Sequence, residues 1–190
     1  MRARFTKSLS RSGNVKRILS ALLALSLPAA ASAHAVFSEQ DAEAGAYYAG
    51  FLRITHGCGA SPTVAVRIEI PEGVLSAKPQ PKPGWELTIE RQTLPKPVAG
   101  EGGSMITERV SAVTWRGKLP VDQFDQFGLA MKLPDTSGPL FFPTVQSCEV
   151  GANEWTDIPP SAEAWHSVEH PAPMLVLSGG MAMEGHSGHH

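Results

Sequence analysis

A histidine directly follows a stretch of small residues near the start of the chain, where Ala31-Ser32-Ala33 precedes His34. Small residues at this spacing are typical of the site at which a secretory signal is cut. If the bond between Ala33 and His34 is cut, His34 gains an α-amine beside its own imidazole. These two nitrogens can close a six-membered chelate ring on a metal ion. The sequence therefore predicts a metal site in which this one residue supplies at least two ligand atoms.

The two donor types favour copper. Amine and imidazole nitrogens suit Cu(II), which heads the divalent affinity order and prefers a tetragonal arrangement. The reference pKa is about 7.7–8.0 for an α-amine and about 6.5 for an imidazole, so binding must displace protons. We expect binding to weaken in acid. A lone histidine is more often structural or solvated, and only the position of His34 after the cleavage pattern favours a ligand.

The segment before His34 has the composition of a secretory leader. Residues 1–17 contain six cations and no acid, and residues 18–28 form an apolar run rich in Leu and Ala. The alternative is a membrane anchor, but spanning a bilayer takes about 20 apolar residues, and this run is shorter. We expect residues 1–33 to be removed, which places the mature protein in the periplasm or outside the cell.

Removal of the leader changes the charge of the chain. The remaining 157 of 190 residues carry 10 Lys and Arg against 18 Asp and Glu, a net charge of −8 instead of −2. An acidic chain does not attract nucleic acid phosphates, so we expect no nucleic acid partner. The charge suits a protein that handles cations, although ordinary solubility explains it equally well. The length suits one domain with a sizeable core.

The two cysteines, Cys58 and Cys148, both lie in the mature part. Export favours a disulfide between them. A thiolate metal site or a redox pair is the alternative, and the absence of CxxC spacing argues against both.

Short apolar segments separated by Gly and Pro predict an all-β fold. The clearest strand is 63–70, where Val64, Val66, Ile68 and Ile70 alternate with other residues. Residues 38–45 are polar and acidic and predict a loop, and residues 94–104 are rich in Pro and Gly and predict a connection. Seven or eight short strands indicate a two-sheet sandwich.

Several motifs, taken in order, resemble the YcnI-like copper-binding domain over residues 34–160. They are His34, the segment Thr63-Val-Ala-Val-Arg-Ile-Glu-Ile-Pro71-Glu-Gly-Val, Pro83-Gly84-Trp85, Phe124 and Phe127, Phe142-Pro143-Thr144-Val145-Gln146 and Glu154-Trp155. The resemblance implies a cupredoxin-like or immunoglobulin-like antiparallel sandwich. His56-Gly-Cys58 together with Cys148 resembles the branch found in Gram-negative bacteria.

The resemblance also implies how copper is held. Cu(II) would sit in a mono-histidine brace, formed by the amine and ring of His34 and aided by a carboxylate and a nearby Trp. Trp155 matches that Trp, whose ring can cover a cation and exclude water; on general grounds a core or edge aromatic is as good an interpretation.

The carboxylate of the brace does not transfer cleanly, because on an ungapped comparison its position falls on Tyr48. Asp157, expected on the same strand face as Trp155, or Glu39 could take its place. His56 is another candidate ligand. Coordination by His34 and water alone stays open.

The last residues form a second candidate site. Residues 161–190 are interpreted as a C-terminal segment with a flexible tail rich in methionine and histidine. Thioether and imidazole groups on a flexible chain suit Cu(I) or transient capture of Cu(II). A disordered end of incidental composition is the alternative. The candidate ligands are Met181, Met183, His186, His189 and His190.

The sequence thus predicts an exported copper-binding protein for copper acquisition, buffering or delivery, and not an enzyme. Family context implies exchange with a membrane copper transporter or another periplasmic copper carrier. One alternative is a copper-dependent oxidative enzyme, which needs a second histidine, for which His56 is the mid-domain candidate. The other is an adhesion or interaction sandwich that binds no metal.

Overall fold

The computed structural model describes residues 34–179. The predicted leader and the tail ligands Met181, Met183, His186, His189 and His190 lie outside the described residues. Within that range the chain forms twelve β-strands and two short 3-10 turns, Glu101–Gly103 and Trp165–Ser167. The strands are β1 (Val36–Phe37), β2 (Asp41–Glu43), β3 (Tyr47–Ile54), β4 (Thr63–Glu69), β5 (Ser76–Pro79), β6 (Glu86–Ala99), β7 (Met105–Leu119), β8 (Asp125–Lys132), β9 (Gly138–Phe141), β10 (Thr144–Cys148), β11 (Ala152–Trp155) and β12 (Met174–Ser178).

Two antiparallel sheets form the body of the molecule. Their strand orders are β1-β3-β8-β5 and β11-β10-β4-β7-β6. One cluster of buried side chains draws on both sheets, with Phe37 and Leu52 from the first and Val66 and Val113 from the second. The predicted all-β sandwich is therefore confirmed.

A third, smaller sheet was not predicted. It has the order β2-β12-β9, and its β2 and β12 strands run parallel. The prediction of a loop over residues 38–45 is wrong at residues 41–43, which form β2. Leu175 and Leu177 of β12 are buried in the main core, so the folded part of the chain continues past residue 160.

The strand predicted over residues 63–70 is present as β4, with one departure from the alternation. Val66, Ile68 and Ile70 are buried as expected, but Val64 is only half-buried and Ala65 is buried instead. The pairing of β4 with β7 shifts register between Thr63 and Ala65. Such an irregularity changes which side chains face the core.

The predicted connection over residues 94–104 is wrong for its first half. Strand β6 runs through Pro95 and Pro97 to Ala99, and its pairing with β7 is interrupted between Thr93 and Val98. Because β6 is the outermost strand of its sheet, residues without an N–H group are tolerated there. Within residues 34–179 no helix is long and apolar enough to cross a membrane.

Candidate metal centre

His34 lies immediately before β1 and is half-buried. Strand β1 pairs antiparallel with the end of β3, where Val36 faces Arg53. Following β1 backwards towards His34 therefore leads along β3 towards the turn that begins after Ile54. The pairing of the first strand places His34 at the same end of the sheet as His56.

Trp155, the last residue of β11, lies beside His34. Its pairing with Thr144 of β10 fixes its position on the second sheet. The ring centroids of His34 and Trp155 are 5.4 Å apart in an edge-to-face arrangement. Trp155 is only 6% exposed, and its indole Nε1 has no hydrogen-bond partner among the described residues. The structure thus brings together the two residues that the family resemblance assigned to the copper brace.

A second tryptophan, to which sequence reasoning gave no role, also contacts the same histidine. The ring of Trp165 is 5.1 Å from that of His34, again edge to face, and the residue is 7% exposed. Trp165 belongs to a short 3-10 turn in an irregular segment. Its burial could therefore not be predicted from hydrophobic periodicity. The His34 ring therefore contacts two indoles from different parts of the chain.

All four histidines of residues 34–179 contact one of these two tryptophans. The ring of His56 lies 6.5 Å from Trp155 and that of His170 lies 6.0 Å from it. The ring of His166 lies 4.9 Å from Trp165. We call the group of His34, His56, Trp155, Trp165, His166 and His170 the histidine–tryptophan cluster.

His56 is oriented by hydrogen bonds at both its ring and its backbone. Its Nδ1 lies 2.6 Å from the carbonyl oxygen of Gly57. A carbonyl can only accept, so Nδ1 carries the proton and Nε2 carries the lone pair of the neutral ring. Metal-bound histidines commonly donate their other ring N–H to a carbonyl in this way. In a neutral ring, Nε2 is therefore the nitrogen through which His56 would bind a metal ion.

A buried amide holds the backbone of His56. Gln146 of β10 is 1% exposed, and its Nε2 donates to the carbonyl of His56 at 2.6 Å and to the hydroxyl of Thr63 at 2.8 Å. The Nδ2 group of Asn153 donates to Gln146 Oε1 at 3.0 Å. Gln146 thus satisfies its own polar atoms while fixing the turn that carries His56.

The predicted disulfide between Cys58 and Cys148 is confirmed, with the two Cα atoms 6.1 Å apart. The bridge attaches the turn after His56 to the end of β10. The backbone N–H of Cys58 also donates to Cys148 Sγ at 3.1 Å. Two independent devices, a covalent bond and the Gln146 network, therefore fix the position of His56.

The two candidate carboxylates have different surroundings. Strand β11 ends at Trp155, so Asp157 lies beyond it and not on its face. Asp157 Oδ2 accepts a hydrogen bond from the backbone N–H of His170 at 2.9 Å. The side chain of Glu39 is exposed, and its carbonyl accepts from the Tyr48 hydroxyl at 2.8 Å.

Tyr48, where the ungapped comparison places the family's carboxylate, lies in the core. It stands near the start of β3, about 16 Å along the strand from Arg53 at about 3.3 Å per residue, and its ring is 6.3 Å from that of Phe37. Burial and the nearby Glu39 carboxylate raise the pKa of the Tyr48 phenol to about 12. A Cβ at Gly50 would overlap its hydroxyl. Tyr48 is a core residue and not a ligand near His34.

Within residues 34–179, no three side chains of His, Cys, Asp and Glu are arranged to hold a metal ion together. The residues present fit a chelate by His34 itself, with the unpartnered indole N–H of Trp155 available to a hydrogen-bond acceptor beside it.

Comparison with known proteins identifies a family and similar solved structures. A family model described as a domain of unknown function, DUF1775, matches residues 34–177. No curated protein matches the sequence. An uncharacterized protein from Nocardia farcinica, whose crystal structure reveals an immunoglobulin-like fold, is similar at 26% identity with a TM-score of 0.56. The alignment covers 76% of this chain and 98% of that chain.

Proposed function

The chain belongs to the DUF1775 family, the family of YcnI-like domains, and from that premise we propose that it is an exported copper-binding protein. In this proposal residues 1–33 are a secretory leader that is cut before His34. The mature protein holds Cu(II) through the α-amine and the ring of His34. It serves periplasmic copper acquisition, buffering or delivery, and it is a carrier and not an enzyme.

One observation carries the proposal. The residue that would become the N-terminus is also the first residue of the family match, and its ring lies against two buried indoles. A histidine that merely followed a cleavage site would have no need of two buried indoles as neighbours. Indoles exclude water from a cation and attract it through the ring face.

His34, His56 and Trp155 have distinct parts in the proposal. The amine and Nδ1 of His34 chelate the ion, and His56 can supply a further nitrogen through Nε2. Trp155 covers the ion, and its unpartnered indole N–H donates to a water or an anion that completes the coordination. A site with few protein ligands leaves positions open, and this suits transfer of copper to a membrane transporter or to another periplasmic carrier. The tail ligands Met181, Met183, His186, His189 and His190 serve transient capture of Cu(I) or Cu(II).

Titration with Cu(II) and electron paramagnetic resonance test the proposal. Protein that begins at His34 is compared with the same protein acetylated selectively at its α-amine, with His34→Ala and with His166→Ala as a matched control. We expect one tightly held Cu(II) with at least two nitrogen ligands in the first protein and in the control. Loss of the amine or of the ring should weaken binding about tenfold or more, equivalent to about 1.4 kcal/mol.

Equal stoichiometry and affinity in all four proteins would refute the copper proposal and favour an adhesion or interaction sandwich. Mass spectrometry of the protein recovered from the periplasm tests the leader separately. A mature N-terminus at any residue other than His34 would remove the α-amine from the site.

A further inference from the structure

We propose that Trp165 is a positioning residue that restrains the ring of His34 and slows the exchange of a bound metal. This inference rests on the proposed copper function for its second half only. The contact between the two rings, at 5.1 Å, is closer than the 5.4 Å contact that His34 makes with Trp155. Trp155 belongs to the Glu154-Trp155 motif of the family resemblance, whereas Trp165 lies outside every motif identified in the sequence.

Trp165 is buried, but not in the main core. The central cluster of buried apolar side chains includes Trp155 and does not include Trp165. Its aromatic neighbours among the described residues are His34 and His166. Large side chains are normally buried because they fill the core. Trp165 is instead buried against the ring of His34, outside the central cluster.

The chain holds the Trp165 ring firmly in this place. Its indole Nε1 donates to the carbonyl of Ala172 at 2.7 Å, and its backbone N–H donates to the carbonyl of Ala162 at 3.1 Å. The ring is therefore tied to the chain on both sides of the turn that carries it.

The loop that carries Trp165 is closed at its base. Asp157 exchanges backbone hydrogen bonds of 2.9 Å with His170 and Ala172, and its side chain accepts from the N–H of His170 at 2.9 Å. Residues 157–172 thus form a tied loop whose buried tryptophan reaches His34. The carboxylate that was a candidate metal ligand has a structural part here, since it fixes the loop.

A ring in contact with two buried indoles has less rotational freedom before any metal arrives. Preorganisation of this kind increases affinity because less entropy is lost on binding. Removing one indole gives the His34 ring back its rotamers and opens it to water. Aromatic contacts of this type contribute enough to change an equilibrium or a rate about threefold to tenfold.

The first arm of the test uses copper-free protein that begins at His34. Modification of the His34 ring by diethyl pyrocarbonate is followed by mass spectrometry in the wild type, Trp165→Ala, Trp165→Phe and the control Trp85→Phe. Only the adduct that hydroxylamine removes is scored, because the reagent also acylates the α-amine of His34 irreversibly. Trp85 contacts Phe127 instead of a histidine. We expect His34 to react about threefold to tenfold faster in Trp165→Ala, with most of the protection restored by Phe. Equal rates in Trp165→Ala and the control would overturn the restraint, whatever the outcome for copper.

The second arm measures the release of Cu(II) to a competing chelator from the same four proteins. We expect faster release from Trp165→Ala, an intermediate rate from Trp165→Phe and no change in the control. The nitrogen pattern in the electron paramagnetic resonance spectrum should stay the same, because Trp165 is not a ligand. Unchanged release from Trp165→Ala, with His34 more reactive in the first arm, would overturn the exchange role. Wild-type protein that binds no copper would refute the copper function and leave the first arm decisive for the restraint.

Discussion

Two tryptophans of the central buried cluster, one in its interior and one at the end beside the histidines, differ in their polar and aromatic partners. Trp115 of β7 is fully buried, its Nε1 donates to the carbonyl of Gln80 at 3.0 Å, and its ring lies 5.4 Å from that of Phe127. Trp155 at the end of β11 has an unpartnered Nε1 and is surrounded by histidines. The same side chain is satisfied in the core and left unsatisfied in the histidine–tryptophan cluster.

The difference distinguishes a part of the core in which the indole donor is satisfied from a part that keeps one donor unsatisfied. A buried donor without a partner costs about 1–3 kcal/mol. Folded proteins keep few such groups, and each one calls for an explanation. At Trp155 the explanation we favour is a ligand that supplies the missing acceptor. The core around Trp115 is complete without one.

The largest effect should come from the bridge that ties the cluster to the sheet. Replacing both Cys58 and Cys148 by Ala should lower the free energy of unfolding by about 4–5 kcal/mol in the chain-entropy model, because the bridge spans a sequence separation of 90. Urea unfolding of the double variant and of the oxidised wild type measures this. A loss below about 1 kcal/mol would mean that the Gln146 network alone holds the end of β10.

Substitution of each tryptophan by phenylalanine tests the comparison directly. Trp115→Phe should cost about 1–3 kcal/mol of unfolding free energy, since it leaves the carbonyl of Gln80 without its partner. Trp155→Phe should cost less than about 1 kcal/mol, since it also removes an unpaired donor. Urea unfolding of the two copper-free variants gives both values. Equal losses of unfolding free energy would show that the missing hydrogen bond of Trp155 has no effect on stability.

The difference between the regions also explains what the sequence could and could not predict. The core strands are readable because burial on one face imposes an apolar period of two, as in Thr63–Glu69. The extent of β6 was misjudged because tolerance of Pro95 and Pro97 depends on an edge position that only the tertiary fold defines. His34 and Trp155 could be named from the cleavage pattern and a family motif.

Trp165 had no comparable signal in the sequence. Its burial depends on hydrogen bonds to Ala172 and on contact with His34, a residue far earlier in the chain. Local pattern does not encode a contact of that kind. The pairing of four histidines with two tryptophans is likewise a product of the tertiary structure.

An effect confined to high pH concerns a polar group that the core does satisfy. The pKa of Tyr48 is raised to about 12 from the ordinary value of 10.0, so the folded protein holds the phenol proton more tightly than the unfolded chain. This contribution to stability is complete below pH about 10 and is lost as the pH rises towards about 12. Urea midpoints of the wild type should therefore fall more steeply over that range than those of Tyr48→Phe. Parallel curves for the two proteins would contradict the expectation.

The two prolines of β6 have a consequence for the protein at high concentration. An edge strand with unpaired N–H and C=O groups is a template on which a strand of another molecule can add. Pro95 and Pro97 have no N–H to offer, so an incoming strand meets an interrupted row of donors at this margin of the five-stranded sheet. The two prolines therefore hinder fibril growth at this edge, and because they lack the N–H group covalently, the hindrance does not depend on pH or salt.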